Sequence, residues 1–144
     1  MIVLAFDPGE TTGWCYMNTA TDEVECGSFE RWREVPSLVV RYFPVQGSYP
    51  QARIVIERFM LYPWLAKRLK WDKLLTVEVI GVIKYLAESY GIEYVMQSAR
   101  TGKLIELQNA PAGLDRHAHD AMRHALMYLK TKNALTDKLR EYIR

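Results

Sequence analysis

The most constraining feature of this chain is a pair of short apolar runs, each of which ends on a carboxylate. Residues Ile2–Phe6 form one run, followed by Asp7, and Ile54–Ile56 form the other, followed by Glu57. Continuous apolar runs of this length are typical of strands that are buried on both faces of a parallel sheet. Because the carboxyl ends of parallel neighbours lie at one edge of a sheet, we expect the two acids to lie together in a crevice there.

The periodicity of the rest of the chain predicts the order of its helices and strands. Breakers at residues 8–13 predict a turn, and the apolar stripe after Asp72 predicts a long helix that Gly91 ends. Residues 99–113 are expected to form a loop with one helical turn at 104–107. Strands are predicted at residues 2–6, 14–17, 24–29, 54–57 and 93–97, and helices at 35–43, 72–90 and from Arg116 onward. This order predicts one α/β domain over residues 1–144, a mixed five-stranded sheet flanked by helices on both faces.

A third acid, Asp120, opens the helical pattern near the C-terminus, and His117 precedes it by three residues. Residues at this spacing share one face of a helix, and we expect the last helix to cross the edge that carries Asp7 and Glu57. Mg²⁺ and Mn²⁺ prefer carboxylate oxygens, and a neutral imidazole can ligate Mn²⁺ or take a proton from a water. The four residues therefore predict the catalytic and metal-binding site of a metal-dependent nuclease, in which Asp7 bridges two cations about 4 Å apart.

Three stretches of the sequence carry a more specific pattern. They are Ala5-Phe6-Asp7-Pro8-Gly9-Glu10-Thr11-Thr12-Gly13-Trp14, Ile54-Val55-Ile56-Glu57-Arg58-Phe59 and His117-Ala118-His119-Asp120-Ala121-Met122-Arg123-His124-Ala125-Leu126. In this order they resemble the opening hairpin, a strand end and the C-terminal helix of RuvC-type Holliday-junction resolvases, in their compact phage-like form, within the ribonuclease-H-like superfamily. By position, Asp7, Glu57 and Asp120 match that family's metal-binding acids, and His117 stands where many members have Asp.

The resemblance implies a homodimeric crossover-junction endodeoxyribonuclease that uses two Mg²⁺ or Mn²⁺ ions per active site and cuts branched DNA, four-way junctions above all. It also implies that an apolar wedge in the loop after Glu57 engages the junction centre. Phe59 and Met60 are the candidates for this wedge, and core or dimer-interface packing is the alternative role. Basic residues near the site would contact the DNA backbone. The predicted DNA-binding residues are Arg58, Phe59, Met60, Lys67, Arg68, Arg100 and Lys103.

Composition and charge set weaker limits on the function. The formal net charge of +2 is too small to indicate nucleic-acid binding by itself, although basic residues cluster after Glu57 and in the C-terminal tail. No apolar stretch is long enough to span a membrane, and the N-terminus lacks the basic region of a signal peptide. We therefore expect a cytoplasmic protein, in the host cytoplasm if a phage encodes it. Cys15 and Cys26 are expected to be reduced core cysteines.

Several residue roles and functions stay open at this point. Asp115 is a candidate substitute ligand, His124 is expected to support Asp120 four residues earlier, and His119 is expected to be a surface or capping residue. The same fold would suit a flap or RNA-processing nuclease, or an inactive junction-binding protein. The hairpin at residues 7–13 also resembles the phosphate-binding hairpin of actin-like and sugar-kinase nucleotide-binding modules.

Overall fold

The unbroken apolar segment near the N-terminus forms the central strand of the sheet. The computed structural model describes residues 1–60, 62–66 and 71–144. In this part of the chain the strands are β1 (Ile2–Asp7), β2 (Thr11–Asn18), β3 (Glu23–Glu30), β4 (Ala52–Glu57) and β5 (Glu93–Gln97). The helices there are α1 (Val35–Tyr42), α2 (Pro63–Ala66), α3 (Trp71–Ser89), α4 (Ala99–Gly102), α5 (Arg116–Thr131) and α6 (Asp137–Arg140). The strand order is β3-β2-β1-β4-β5, which confirms the predicted mixed five-stranded sheet.

Strand direction brings the carboxyl ends of three strands to one edge of the sheet. β1 pairs in parallel with β4, and β4 pairs in parallel with β5, whereas β2 is antiparallel to both β1 and β3. Phe6 lies beside Ile56, and Glu57 lies beside Gln97. The ends of β1, β4 and β5 therefore form the edge at which α/β proteins bind their ligands.

Alternate residues of the central strand are buried against different helices. Leu4 and Phe6 belong to a core that includes buried residues of α1 and α3. Val3 and Ala5 belong to a second core, which is formed with α5. Successive side chains of a strand point to opposite faces of the sheet, so the two cores confirm that helices cover both faces. Burial on both faces also explains why β1 contains no polar residue before its end.

The second strand is longer than its sequence predicts. It begins at Thr11 rather than at residue 14, because Thr11 pairs with Glu30 of β3. The predicted turn at residues 8–13 is therefore confined to the three residues between β1 and β2.

The segment after β5 also differs from the prediction. Its short helix, α4, lies at residues 99–102 instead of 104–107. Ser98 stands at its N-cap, with Oγ 2.9 Å from Oγ1 of Thr101. Leu107 instead pairs with Ile143 in an isolated antiparallel bridge, which ties the end of the chain to this loop.

The long helix α3 begins next to the predicted cap, and its buried side agrees with the predicted apolar face. Val79 and Ile83 are fully buried, and Val82 and Leu86 pack against the same core. The capping role predicted for the Asp72 side chain lies outside the described residues. In the described ranges, we find no helix with the length and apolar character needed to cross a membrane.

The two cysteines do not match the expectation that both are reduced. Cys15 of β2 lies directly opposite Cys26 of β3, with the Cα atoms 4.1 Å apart, and the structure joins them as a disulfide. Their separation of 11 residues does not by itself reveal that they are opposed, because the pairing register of the hairpin decides which residues face each other.

Candidate active site

Three parts of the chain meet at the carboxyl edge of the parallel strands. Asp7 ends β1, Glu57 ends β4, and α5 packs across β1 and β2. Gly13 of β2 permits this approach, because a Cβ atom at that position would lie 2.0 Å from the carbonyl oxygen of His117. The start of α5 thus lies directly over the hairpin that carries Asp7. The requirement for glycine here had no signal in the sequence beyond the turn-like composition of the hairpin.

The carboxyl group of Asp7 is largely buried and contacts the first turn of α5. Nδ1 of His117 lies 2.9 Å from Oδ2 of Asp7, and 14% of the Asp7 side chain is exposed. Burial first, then the Glu57 carboxylate and more weakly Asp120, raise the pKa of Asp7 to about 6 against the opposing effect of His117. The three acids are therefore close enough to repel one another, which is the electrostatic condition that a bound cation relieves.

Glu57 is held by a histidine from the opposite side of the site. Nε2 of His124 lies 2.7 Å from Oε2 of Glu57, and Nδ1 lies 2.7 Å from Oε1 of Gln97. The expectation that His124 supports Asp120 is therefore wrong. His124 lies one helical turn beyond Asp120, and its ring faces the ends of β4 and β5. The four-residue spacing between Asp120 and His124 does not predict which strands the His124 ring faces. Gln97 could have been found by the argument that identified Glu57, because it also ends a parallel strand.

Asp120 has a different partner on its own helix. Nη1 of Arg123 donates a hydrogen bond of 2.6 Å to Oδ1 of Asp120, and about a third of each side chain is exposed. His119 lies between His117 and Asp120 in the sequence. Its side chain makes no hydrogen bond to any residue that the structure describes. Asp120 lines a cavity with Glu57, and His117 contacts Asp7, so both helix residues lie at the edge that carries these acids.

Asp115 serves as the N-cap of α5. Its Oδ1 accepts a hydrogen bond of 2.9 Å from the backbone amide of Ala118, and the hydroxyl of Ser28 donates to Oδ2. These two hydrogen bonds, that from Ser28 first, lower the pKa of Asp115. Oδ1 caps the helix and Oδ2 joins it to β3, so the structure gives Asp115 a structural role rather than that of a substitute ligand.

Two cavities open beside Glu57. The smaller one, with a volume of about 180 Å³, is lined by Glu57, Asp120, His124, Lys103 and the backbone of α4. The larger one, of about 550 Å³, is lined by Glu57, residues 58–60, Tyr62 and residues 98–100. Lys103 therefore faces the acids, and Arg58 and Arg100 lie on the aromatic side of Glu57. Lys67 and Arg68, also predicted to bind DNA, lie outside the described residues.

The two residues predicted as a wedge have different environments. Phe59 is partly buried and packs against the core on the α3 side of the sheet, whereas Met60 is 51% exposed. Beyond them, the rings of Tyr62 and Trp64 are stacked with their centroids 4.8 Å apart, and both are exposed. Only Met60 of the predicted pair thus extends into the larger cavity without a substantial role in the core.

Asp7, Glu57 and Asp120 are each paired with a histidine or arginine side chain, and they do not form a complete coordination sphere for a metal ion. Among the described residues, no three His, Cys, Asp or Glu side chains cluster closely enough to hold a metal ion in their present conformations. The available donors are carboxylate oxygens and an imidazole, which are the atoms that Mn²⁺ accepts, and carboxylates suit Mg²⁺. The donor set thus fits these cations, and a cation would replace the contacts that His117 and Arg123 make with the acids.

Comparison with known proteins supports the fold independently of the residues of the candidate site. No protein-family model matches the sequence, and no curated protein matches it either. Among solved structures, Thermus thermophilus RuvC in complex with a Holliday junction substrate superposes with a TM-score of 0.63 at 13% identity, covering 93% of this chain and 97% of that one. A second structure of Thermus thermophilus RuvC gives a TM-score of 0.60 at 12% identity, with 93% and 98% covered. The chain therefore has the ribonuclease-H-like fold of RuvC over nearly its whole length.

Proposed function

We propose that this protein is a metal-dependent endonuclease that cuts branched DNA, with four-way junctions as its preferred substrate. The observation that carries the proposal is the convergence of Asp7, Glu57 and Asp120 at one edge of the sheet, where burial and mutual repulsion raise the pKa of Asp7 to about 6. The shared fold with RuvC, one structure of which contains a Holliday junction substrate, supports the proposed substrate class. Because the sequence identity to RuvC is only 12% to 13%, the roles of individual residues are proposed from the geometry of this site.

Each residue of the site has a separate role in the proposed phosphodiester hydrolysis. Two divalent cations would supply charge to the attacking water and to the leaving oxygen on opposite sides of phosphorus. Asp7, at the end of the central strand, is affected by the charges of both other acids and is the residue that would contribute to holding both ions. Glu57 would hold one ion, and Asp120 with His117 would hold the other. Hydrolysis of this kind leaves 5′-phosphate and 3′-hydroxyl ends.

Cationic and apolar side chains around the acids supply contacts for DNA. Arg58, Arg100 and Lys103 are exposed on both sides of Glu57, and each can neutralise a backbone phosphate. Met60 is exposed in the same region and is the better placed of the predicted wedge residues to separate stacked bases. Lys67 and Arg68 complete the proposed DNA-binding set.

A homodimer is the second part of the proposal, because two opposed strands of a junction need two active sites. One face of α3 offers a surface for the partner. Leu74, Val77 and Tyr85 are 50%, 50% and 71% exposed, and they lie on the same side of the helix as Gly81, where a side chain would meet no atom within 4 Å. This face also carries the exposed Glu78 and Glu88, and its apolar side chains and glycine are the features that would contact a second helix. A monomeric mass in light scattering at micromolar concentration would contradict this part.

The hairpin that resembles a phosphate-binding loop is closed by its own hydrogen bonds. Thr12 in this hairpin is fully buried. Its hydroxyl donates to the carbonyl oxygen of Gly9 at 3.2 Å and accepts from the amide of Gly9 at 3.4 Å. Thr11, which matches the threonine of the phosphate-binding pattern, is partly exposed, so ATP binding is the measurement that separates a nucleotide-binding module from the nuclease.

The proposed function is tested by incubating the purified protein with labelled four-way junction, flap, duplex and single-stranded RNA in Mn²⁺, in Mg²⁺ and in EDTA. We expect paired nicks in the junction with either metal, none in EDTA, and none with the Asp7→Asn variant. Stronger cleavage of flaps or of RNA would assign the same site to that substrate. ATP binding, measured in parallel on the same protein, without cleavage of any nucleic acid would overturn the nuclease proposal.

A further inference from the structure

The polar residues buried at the edge of the sheet are linked to one another. In the part of the chain that the structure describes, the buried polar side chains are those of Thr12, Gln97 and His124. Gln97 and His124 are hydrogen bonded at 2.7 Å, and His124 is 1% exposed. Burying polar side chains costs stability even when they are paired, and an apolar pair would fill the same space. Their place beside Glu57 therefore points to a role in the site.

The hydrogen bonds of His124 connect α5 with the ends of β4 and β5 beside the carboxylate of Glu57. Gln97 and Glu57 are register partners at the ends of β5 and β4, and the His124 ring reaches both from α5. Gly102 of α4 closes over the ring, because a Cβ atom there would lie 3.0 Å from Nε2 of His124. The ring is thus confined by both of its hydrogen bonds and by the backbone of α4.

We infer that Gln97 and His124 are positioning residues for Glu57. His124 binds Oε2 of Glu57 and so leaves Oε1 available to a cation, while Gln97 fixes the orientation of the His124 ring. The inference rests on the proposed function, since it assigns the carboxylate so held to metal binding. Hydrogen bonds to metal-ligating carboxylates set the direction of their free oxygen and thereby the affinity for the ion.

The two hydrogen bonds of the His124 ring determine which of its nitrogens donates to Glu57. A carboxylate only accepts hydrogen bonds, so Nε2 of His124 carries a proton when it binds Glu57. The Gln97 side chain can accept from Nδ1 through its oxygen or donate to it through its NH₂ group. A glutamine is therefore suited to position 97, where a carboxylate would place a further negative charge beside Glu57.

The experiment measures Mn²⁺ binding, from the electron paramagnetic resonance signal of free Mn²⁺, in the whole protein without DNA. Junction cleavage and thermal melting without metal are measured in parallel. The variants are His124→Leu, which removes both hydrogen bonds, Gln97→Leu, which removes the outer one, and His124→Gln, whose amide can still donate to Glu57. His119→Leu and Gln108→Leu are matched controls, since neither side chain contacts the acids among the described residues.

We expect His124→Leu to lower the affinity for Mn²⁺ by about 10- to 100-fold, with a parallel loss of cleavage rate. Gln97→Leu should lose less, His124→Gln should recover most of the affinity, and both controls should match the wild type. If His124→Leu fails to fold, Gln97→Leu gives the same test. Wild-type affinity in folded His124→Leu or Gln97→Leu would overturn this inference alone. Absence of Mn²⁺ binding by the wild type would overturn it together with the proposed function.

Discussion

Nδ1 of His117 lies 2.9 Å from Oδ2 of Asp7, and yet the pKa of this carboxyl stays raised at about 6. Burial and the neighbouring Glu57 carboxylate outweigh the contact with His117. A folded protein that raises the pKa of an acid holds its proton more tightly than the unfolded chain does. Asp7 in its charged form therefore costs stability in the absence of metal, and this cost has measurable consequences.

The first prediction concerns stability against pH in EDTA. The pKa of Asp7 is raised from 3.8 to about 6, so its contribution to stability falls as the pH rises through this range and is fully unfavourable above about pH 6. We expect Asp7→Asn to have the higher free energy of unfolding at pH 7.5, by up to about 2–3 kcal/mol, and to lose this advantage near pH 4. Urea unfolding at several pH values measures the difference. Glu10→Gln, an exposed carboxylate in the same hairpin, is the control. An effect of Asp7→Asn that does not vary with pH would contradict the prediction.

The second prediction concerns catalysis by the three acids. Asp7→Asn, Glu57→Gln and Asp120→Asn each remove a negative charge but little volume, so each should lower the rate of junction cleavage at least about a hundredfold. Junction binding in a gel-shift assay should be largely retained. Loss of binding and of the folded state together would show that the acid is structural.

The third prediction separates the histidines at the start of α5. His117→Ala should weaken cleavage more in Mg²⁺ than in Mn²⁺, because Mn²⁺ accepts the remaining donors with looser geometry. His119→Ala should leave both rates unchanged, since its side chain bonds to none of the described residues. Steady-state rates in the two metals provide the measurement. A larger loss in His119→Ala would mean that the helix presents its other side to the site.

The fourth prediction concerns the contact between β2 and α5. Gly13→Ala places a methyl group 2.0 Å from the carbonyl oxygen of His117, so either the helix or the hairpin must move. We expect a loss of about 1–3 kcal/mol or more in the free energy of unfolding, together with a loss of cleavage that excess Mn²⁺ does not restore. Gly47→Ala is the control, because nothing lies within 4 Å of its added methyl group. Equal stability of the two variants would show that α5 does not press on the hairpin in solution.

The fifth prediction distinguishes the two residues after Glu57. Phe59 packs partly against the core, so Phe59→Ala should lower the melting temperature and reduce cleavage of junctions and flaps alike. Met60 is exposed, so Met60→Ala should leave the melting temperature unchanged and reduce junction cleavage more than flap cleavage, because a flap already has unstacked bases. Paired assays on both substrates with thermal melts decide between the roles. Equal losses on both substrates for Met60→Ala would remove it as a wedge.

The sequence predicts the candidate site best where a residue lies at the end of a strand. Asp7 and Glu57 close unbroken apolar runs, and the parallel pairing of those runs brings the two acids to one edge. His117 and Asp120 follow from helical spacing alone. These relationships depend on local periodicity and on the direction of neighbouring strands, which are both encoded in short segments.

Other features depend on how elements are rotated and packed, and short segments do not encode this. The assignment of His124 to Asp120 was wrong because the spacing of the helix does not state which strands its next turn faces. The opposition of Cys15 and Cys26 depends on hairpin register, and the closeness of Gly13 to α5 depends on the packing distance between a strand and a helix. Such distances are set by the whole core rather than by the residues involved.

The helix α5 contributes to the proposed site through His117 and Asp120, and it also supplies Met122 and Leu126 to the core on one face of the sheet. The acids of the site are contributed by residues 7, 57 and 120, so they come together only after α5 has docked on the strands. During synthesis, the first hundred or so residues can form strands but have no complete set of acids. A partly made or partly unfolded chain therefore lacks the complete set of acids, and the proposed nuclease activity would be a property of the finished fold alone.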